Sequence, residues 1–489
     1  MTATLSAVAA ALPRSERHGH DVEVVDATHD SRQVDPGWLF CAIPGARHDG
    51  HDHAAGAVEA GARALLVERW LDLRVPQVRV PSVRAATGPA AAVVHGHPSE
   101  ELTVLGITGT NGKTTIAYLL EGAAAAAARG TGVIGTVEAR VHGERQDGLR
   151  TTPEGTDLQR LLRHMADRDV DVVAMEVSSH GLDLRRADGT RFEVAAFTNL
   201  SQDHLDWHGS MEAYFAAKAR LFTPAFTQRG VVVIDGPWGQ RLAAQATVPV
   251  TTVGREDAAD VRIVDEHLDV SGGRARVRWD DAEVEISTQM PGDFNLTNAV
   301  VAVVTATEAG LPRDAAIAGV AACPGAPGRL ERVPTTARIQ VLVDYAHSPD
   351  AVRSVLRSLR SSLERDGRLI LVLGAGGDRD RGKRAAMGAA ATLADVAVLT
   401  SDNPRSEDPQ TILDALAAGA RESGNTAEVI LELDRRAAIQ QAITRAAPGD
   451  VVLIAGKGHE TTQELADRVV PFDDRAVASE VLEAIGGRS

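Results

Sequence analysis

Residues Thr108-Gly109-Thr110-Asn111-Gly112-Lys113-Thr114-Thr115 follow the apolar run Leu102–Ile107 and precede the helix-forming stretch Ile116-Ala117-Tyr118-Leu119-Leu120. A strand that runs through a glycine turn into a helix suits a polyphosphate. Gly109 and Gly112 let backbone N–H groups of the turn point inward, and the helix N-terminus adds partial positive charge. Lys113 can reach the β- and γ-phosphates, and the Thr114 hydroxyl, next to Thr115, is placed to hold Mg²⁺. The expected chemistry is binding and hydrolysis of a nucleoside triphosphate. The general phosphate-loop pattern would need glycine where Ile107 stands, so the loop is of a tighter form. A chance glycine turn before an ordinary helix is the bland alternative, and the order of strand, loop, lysine, hydroxyls and helix argues against it.

Further along, Glu176 ends a strand-like run in Met175-Glu176-Val177-Ser178-Ser179-His180. An acid at a strand tip near such a loop is the usual place for a Mg²⁺ ligand. His204, in Thr198-Asn199-Leu200-Ser201-Gln202-Asp203-His204, is a second candidate ligand, or else a hydrogen-bonded loop histidine. Lys218 lies in Tyr214-Phe215-Ala216-Ala217-Lys218-Ala219-Arg220-Leu221-Phe222. By periodicity alone this is an amphipathic helix, and Lys218 reads as a solvated lysine.

The elements that must position these groups follow from the rest of the chain. Its 489 residues exceed one core and suggest about three domains. Residues 1–97 alternate short apolar runs, such as Val22–Val25 and Ala64–Val67, with helical patterns, and His95–Ser99 is a polar break. Residues 98–327 show stronger strand and helix alternation, with β-rich runs at Val172–Val177, Val194–Thr198 and Gly230–Ile234, as in a sheet covered on both faces. Strict alternation near 262–290 suggests a small antiparallel insertion. The Pro- and Gly-rich segment Cys323–Arg329 marks a second boundary. Beyond it, 328–489 carries four strand candidates, Gln340–Asp344, Leu369–Gly374, Val396–Thr400 and Val451–Gly456, as expected for a second open α/β sheet with ligands at its carboxyl edge. The alanine run Ala123–Ala128 is read as helix.

Net charge is −16 at pI ≈ 5.5, which argues against nonspecific nucleic-acid binding and against an anionic membrane surface. No apolar stretch reaches the ~18 residues of a membrane span, and no signal peptide is visible, so a cytoplasmic protein is expected. Cys41 and Cys323 stand far apart and read as buried thiols in a reducing compartment.

The loop T-G-T-N-G-K-T-T, with E-V-S-S-H, N-L-S-Q-D-H-L-D and A-Y-F-x-A-K-x-x-L-F, resembles the Mur ligase family and, in its loop, the related folylpolyglutamate synthases. The resemblance covers essentially the whole chain. It implies three α/β domains: a smaller N-terminal one (1–97) that holds uridine diphosphate, a central one (98–327) with a phosphate loop on a mostly parallel sheet, and a Rossmann-like C-terminal one (328–489) that takes the amino acid. It implies ATP and Mg²⁺ as cofactors, with Lys113, Glu176, His204 and Lys218 in catalysis. Thr114, Glu176, His204 and Lys218 would bind the metal, Lys218 after carbamylation by CO₂. A carbamate would turn a cation beside Mg²⁺ into an anionic oxygen ligand. Asn295 in Gly292-Asp293-Phe294-Asn295 resembles the adenine side. Arg329 in Gly328-Arg329-Leu330-Glu331 resembles an element that closes over ATP, as do Asp344 and His347 in Asp344-Tyr345-Ala346-His347-Ser348-Pro349-Asp350.

Ser31 in Asp30-Ser31-Arg32, with Thr151, Thr152, Ser178 and Arg186, matches the family's contacts to a UDP-muramoyl dipeptide. Leu184 stands where some members carry glutamine. Asp402-Asn403-Pro404-Arg405 matches the form associated with meso-diaminopimelate addition. Diaminopimelate carries a second carboxylate that an arginine fork can bind. Arg379, Gly456 and Glu460 match the remaining amino-acid contacts. The expected reaction is ATP-dependent addition of meso-2,6-diaminopimelate to the D-glutamate of UDP-N-acetylmuramoyl-L-alanyl-D-glutamate through an acyl phosphate, in peptidoglycan precursor synthesis. It would be carried out by a monomer that closes before chemistry. A lysine-adding relative, a folylpolyglutamate synthase and a phosphate-loop ATPase without ligase activity remain the alternatives.

Overall fold

The computed structural model describes residues 2–45, 48–146, 150–363 and 366–486. Two compact units emerge. One comprises Met1–Ile263, Val277–Val284 and Asn298–Val320, the other Val264–Arg276, Glu285–Thr297 and Ala321–Ser489.

Near the N-terminus a 5-stranded sheet runs in the order Glu16–His18, Gln77–Arg79, Ala64–Val67, Leu39–Cys41, Ala27–Thr28. Helix Val83–Val94 lies in the same core, through Val83, Ala86, Ala90 and Val94. The expected strand at Val22–Val25 is only Glu23–Val24. Cys41 is fully buried, and burial pushes its thiol up to about 12. Cys323 is only partly buried, because it lies just past the end of helix Arg313–Ala322, in irregular chain, and this corrects the expected pair of buried thiols.

The large sheet places Thr103–Thr108 at its centre, parallel to Val172–Glu176 on one side and Phe192–Phe197 on the other. Parallel strands Thr131–Ile134, Thr227–Val233 and Val250–Gly254 extend it outward. Valine, isoleucine and alanine fill these strands because helices cover both faces. Val261–Asp269, Gly272–Trp279 and Ala282–Thr288 form the expected insertion at its end, joined by two-residue turns that only antiparallel neighbours permit. The alanine run ends its helix at Ala126, and Ala128 is left-handed at φ 57°, so the last two alanines turn the chain instead.

In the second unit a 6-stranded sheet runs Glu331–Arg332, Gln340–Asp344, Val451–Ala455, Leu369–Ala375, Val396–Ser401, Glu428–Leu431, with all but the first strand parallel. The four expected strands are its centre. Helix Pro349–Ser362 starts at Ser348, whose hydroxyl accepts from the Ala351 N–H at 3.3 Å, and buries Val352, Val355, Leu356 and Leu359 at helical spacing.

Two strand tips of this sheet are tied from behind by Arg435, which is 2% exposed. It donates to both carboxylate oxygens of Asp474 at 2.8 and 2.6 Å, to the Ser401 carbonyl at 3.3 Å and to the Ala455 carbonyl at 3.0 Å. Arg435→Met is expected to destabilise the fold by about 3–5 kcal/mol, since it strands a fully buried carboxylate. The further change Asp474→Leu is expected to restore most of that. Urea denaturation checks both, and a single variant within about 1 kcal/mol of wild type would contradict the assignment.

Candidate active site

The phosphate loop owes its shape to its neighbours. Gly109 has φ 148°, and a Cβ there would lie 1.9 Å from the Thr198 hydroxyl. Gly112 has φ 89°, and its Cβ would meet the Asn298 side chain at 2.6 Å. Gly112 caps helix Lys113–Ala126 without a side-chain hydrogen bond of its own, and the helix start carries partial positive charge. Asn111 is held by Asn199, whose side-chain oxygen accepts from its N–H at 3.0 Å. Thr114 and Thr115 are buried at the start of the helix.

Two lysines converge on this loop. Lys113 donates to the Gly109 and Thr110 carbonyls at 2.9 and 2.8 Å. Lys218 donates to the same Gly109 carbonyl at 2.7 Å. Lys218 is 1% exposed, which overturns its reading as a solvated lysine. Periodicity could not detect this, because helix Met211–Ala219 buries Tyr214, Phe215, Ala217 and Lys218 in one turn. Burial, reinforced by the Lys113 charge and opposed by Asp203, holds the Lys218 ammonium well below the usual lysine range. The ammonium lies 4.7 Å from the Tyr214 ring centroid, and the Tyr214 hydroxyl pairs with Thr110 Oγ1 at 3.1 Å. Sequence reasoning passed over Tyr214, an aromatic in a helix that gave no signal apart from core packing.

Glu176 is 1% exposed and accepts from the Thr136 N–H at 2.8 Å and the Thr136 hydroxyl at 3.0 Å. His204 is left-handed at φ 52°, with 46% of its side chain exposed. Its ring meets His180 edge-on at 4.7 Å between centroids. Desolvation lowers its pKa, with His180, Lys113 and Lys218 adding and Asp203 opposing, so His204 belongs to the electrostatic neighbourhood of both lysines. Among the described residues no three His, Cys, Asp or Glu side chains converge as a metal site. The expected set has only two such groups, and its remaining donors would be the Thr114 hydroxyl and a modified Lys218.

The expected dipeptide contacts cluster around Glu176. Thr152 Oγ1 donates to the Glu176 carbonyl at 3.0 Å and accepts from the Ser178 N–H at 3.0 Å. Ser178 Oγ caps helix Ser179–Asp183. Thr151 pairs with Thr136 at 3.1 Å, and Arg186 donates to the Thr152 carbonyl at 3.3 Å while pairing with Glu154 at 2.9 Å. Ser31, on the short 3-10 helix Ser31–Gln33, makes no hydrogen bond to these residues among those described.

The second unit gathers a separate set at the carboxyl ends of its strands. Asp344 accepts from the Leu330 and Ala346 N–H groups, both at 2.8 Å, and burial raises its pKa against the pull of Arg329. Arg329 lies over the Tyr345 ring at 4.7 Å, and His347 is fixed through Nδ1 on the Tyr345 carbonyl at 2.8 Å. Asn295 is buried in the first turn of helix Asp293–Glu308 and donates to the Pro291 carbonyl at 2.9 Å.

After strand Val396–Ser401 come Asp402, Asn403 and Pro404, all buried, then Arg405 at φ 51°. Asn403 donates to Glu460 at 2.8 Å, and Lys457 donates to both Asn403 and Glu460 at 3.0 Å, closing a triangle. Lys457 is fully buried and sequence reasoning missed it, although it sits inside the G-K-G-H-E run beside two expected contacts. Gly456, at φ 112°, leaves room for Asp402, whose carboxylate would lie 2.7 Å from a Cβ there. Arg379 is exposed in the loop after strand Leu369–Ala375. The structure thus brings together Asp402, Asn403, Arg405, Gly456 and Glu460.

Comparison with known proteins accords with this geometry. Residues 24–107 match the Mur ligase family catalytic domain, 107–306 the Mur ligase middle domain, and 328–458 the Mur ligase glutamate ligase domain. The UDP-N-acetylmuramoyl-L-alanyl-D-glutamate–2,6-diaminopimelate ligase of Streptomyces avermitilis is 48% identical over 484 residues, covering 96% of this chain and 94% of its own. Its namesake in Streptomyces coelicolor is 48% identical over 482 residues, covering 95% and 94%. A solved structure of a ligase of the same name superposes with a TM-score of 0.71 at 32% identity, covering 95% of each chain. The chain belongs to the Mur ligase family.

Proposed function

We propose that the chain is an ATP-dependent ligase that joins meso-2,6-diaminopimelate to the D-glutamate of UDP-N-acetylmuramoyl-L-alanyl-D-glutamate, in the cytoplasm, as a single copy. The observation that carries this reading is the loop Asp402–Arg405, where an arginine and the Asn403–Lys457–Glu460 triangle stand together at the strand ends. Such a set offers a cation to a distal carboxylate and an anion to an amine of the same substrate. Relatives that align over 95% or more of the chain at 48% identity carry the corresponding name.

A carboxylate resists attack because oxide is a poor leaving group. In the proposed reaction an oxygen of the D-glutamate γ-carboxylate attacks the γ-phosphorus of ATP and ADP leaves. The diaminopimelate amine then attacks the acyl carbon, phosphate departs with the C–O electron pair, and the amide nitrogen gives up its extra proton. The chain contributes positioning and charge. The start of helix Lys113–Ala126, through its dipole and N–H groups, and Lys113 would cradle the phosphates, and Asn295, Arg329, Asp344 and His347 would serve the nucleotide. Thr151, Thr152, Ser178 and Arg186, with Ser31 toward the uridine end, hold the dipeptide. Mg²⁺, held by Thr114, Glu176, His204 and a carbamylated Lys218, would neutralise phosphoryl charge. Residues 1–97, 98–327 and 328–489 would then serve uridine diphosphate, ATP and the amino acid.

Phosphate release from ATP, measured with the UDP-muramoyl dipeptide and a panel of amino acids, tests the reading. Release is expected only when both the dipeptide and meso-diaminopimelate are present. Release with lysine in its place would assign a lysine-adding enzyme, and release without either acceptor would assign an ATPase of another kind.

A further inference from the structure

Arg405 is already engaged within the chain. Its Nε donates to Glu464 at 2.6 Å, and its Nη1 to the Gly377 carbonyl at 2.8 Å, while its Nη2 makes no hydrogen bond among the described residues. Its backbone N–H donates to the Glu464 carbonyl at 3.1 Å, which helps hold a non-glycine residue in the left-handed region. Glu464 is itself fixed. Its N–H donates to Asn403 Oδ1 at 3.1 Å, and the preceding Gln463 donates to the Asp402 carbonyl at 2.6 Å. Its strand, Thr462–Glu464, pairs antiparallel with Val469–Pro471. A small hairpin therefore clasps the Asp402–Arg405 loop along its length.

We propose that Glu464 is a positioning residue for Arg405, holding the guanidinium so that Nη2 faces the far carboxylate of the amino-acid substrate. This rests on the reading of Arg405 given above. A rival role is that of an internal carboxylate that the substrate must displace. The geometry favours positioning on two counts. Glu464 occupies the Nε side of the guanidinium and not its terminal pair of nitrogens. Its backbone is also tied at both N–H and C=O, so departure of the side chain would not free the segment. A guanidinium held at two nitrogens is preorganised, and its third nitrogen meets a carboxylate without further ordering cost.

The test uses the full-length protein and Glu464→Gln, which keeps the shape and removes the charge. Its KM for meso-diaminopimelate is expected to rise about tenfold, the upper cost of re-ordering one freed, rotamer-rich side chain on binding, with kcat and the KM for ATP holding. In an Arg405→Ala background the same change is expected to add nothing further to kcat/KM, because Glu464 acts through Arg405. Glu464→Asp, which keeps the charge at shorter reach, is expected to fall between. An unchanged or lowered KM in Glu464→Gln would overturn the proposal, and so would an equal rise without Arg405. If the wild-type protein does not use diaminopimelate at all, the reading of Arg405 fails and this proposal goes with it. If it does and Glu464→Gln is neutral, only the proposal is lost.

Discussion

Lys218→Ala is expected to leave at most about 1% of wild-type turnover, on the scale of losing one group that stabilises charge at the reacting centre. The expectation comes from where the side chain sits. A fully buried ammonium beside Lys113 is an unfavourable arrangement, and a polyphosphate on the same loop would relieve it only in part. The depressed pKa changes what the group can do. It favours the neutral amine over the ammonium, and only the neutral amine carries the lone pair that can attack CO₂. In the proposed carbamylation the N–C bond would form, one C–O π pair would move to oxygen and a proton would leave, so the site would exchange a cation for a carbamate anion. Activity is therefore expected to climb with added bicarbonate and to fall in CO₂-depleted buffer. Formate or acetate is expected to restore part of the Lys218→Ala activity by supplying an oxygen anion in the vacated space. Lys218→Met, which keeps the volume, separates lost packing from lost chemistry and is expected to be as inactive as the alanine variant. Near-normal turnover of either variant at saturating Mg²⁺ would sink the carbamate role.

The contrast between Lys218 and the loop it touches shows what a sequence can disclose. Thr108–Thr115 was legible because its physics is local: two glycines, a lysine and a helix start lie within eight residues, and the backbone delivers them to one place. The central strands were legible for a similar reason, since runs such as Val172–Met175 and Val451–Ala455 are apolar on both faces and need helices on both sides. The edge strand Glu428–Leu431 was missed because it is largely exposed and its pattern carries little signal. Lys218 looked solvated because burial of a lone cation depends on Gly109, more than a hundred residues away. Lys457 and Glu464 were invisible for the same reason. Their roles exist only once the hairpin and the Gly456 turn lie against Asn403 and Arg405. The corresponding signal is weak but real: polar residues crowded just after a strand end, around glycines with positive φ, in an otherwise apolar stretch.

Arg405→Ala is expected to reduce kcat/KM for meso-diaminopimelate by two or more orders of magnitude while the KM for ATP barely moves. Truncating one partner of a desolvated, hydrogen-bonded charge pair costs about 2–5 kcal/mol, which covers that range. The variant is a clean one for a conformational reason. Arg405 sits at φ 51°, and alanine has the same Cβ there, so the backbone strain is the same in both proteins. Glycine would remove strain and guanidinium together and confuse the two. Loss of the Glu464 pair should cost the fold little, since 44% of the Glu464 side chain is exposed and can take up water. A melting temperature close to wild type is thus expected beside the large loss in kcat/KM. Arg405→Lys is expected to lie between, because an ammonium keeps the charge but cannot hold Glu464 and Gly377 while offering a third nitrogen. Lysine is not expected to become a good substrate in any of these variants, since removing a cation builds no site for an ammonium. Unchanged KM and kcat for diaminopimelate in Arg405→Ala would show that the distal carboxylate is recognised elsewhere, and would remove the ground for preferring diaminopimelate over lysine at this loop.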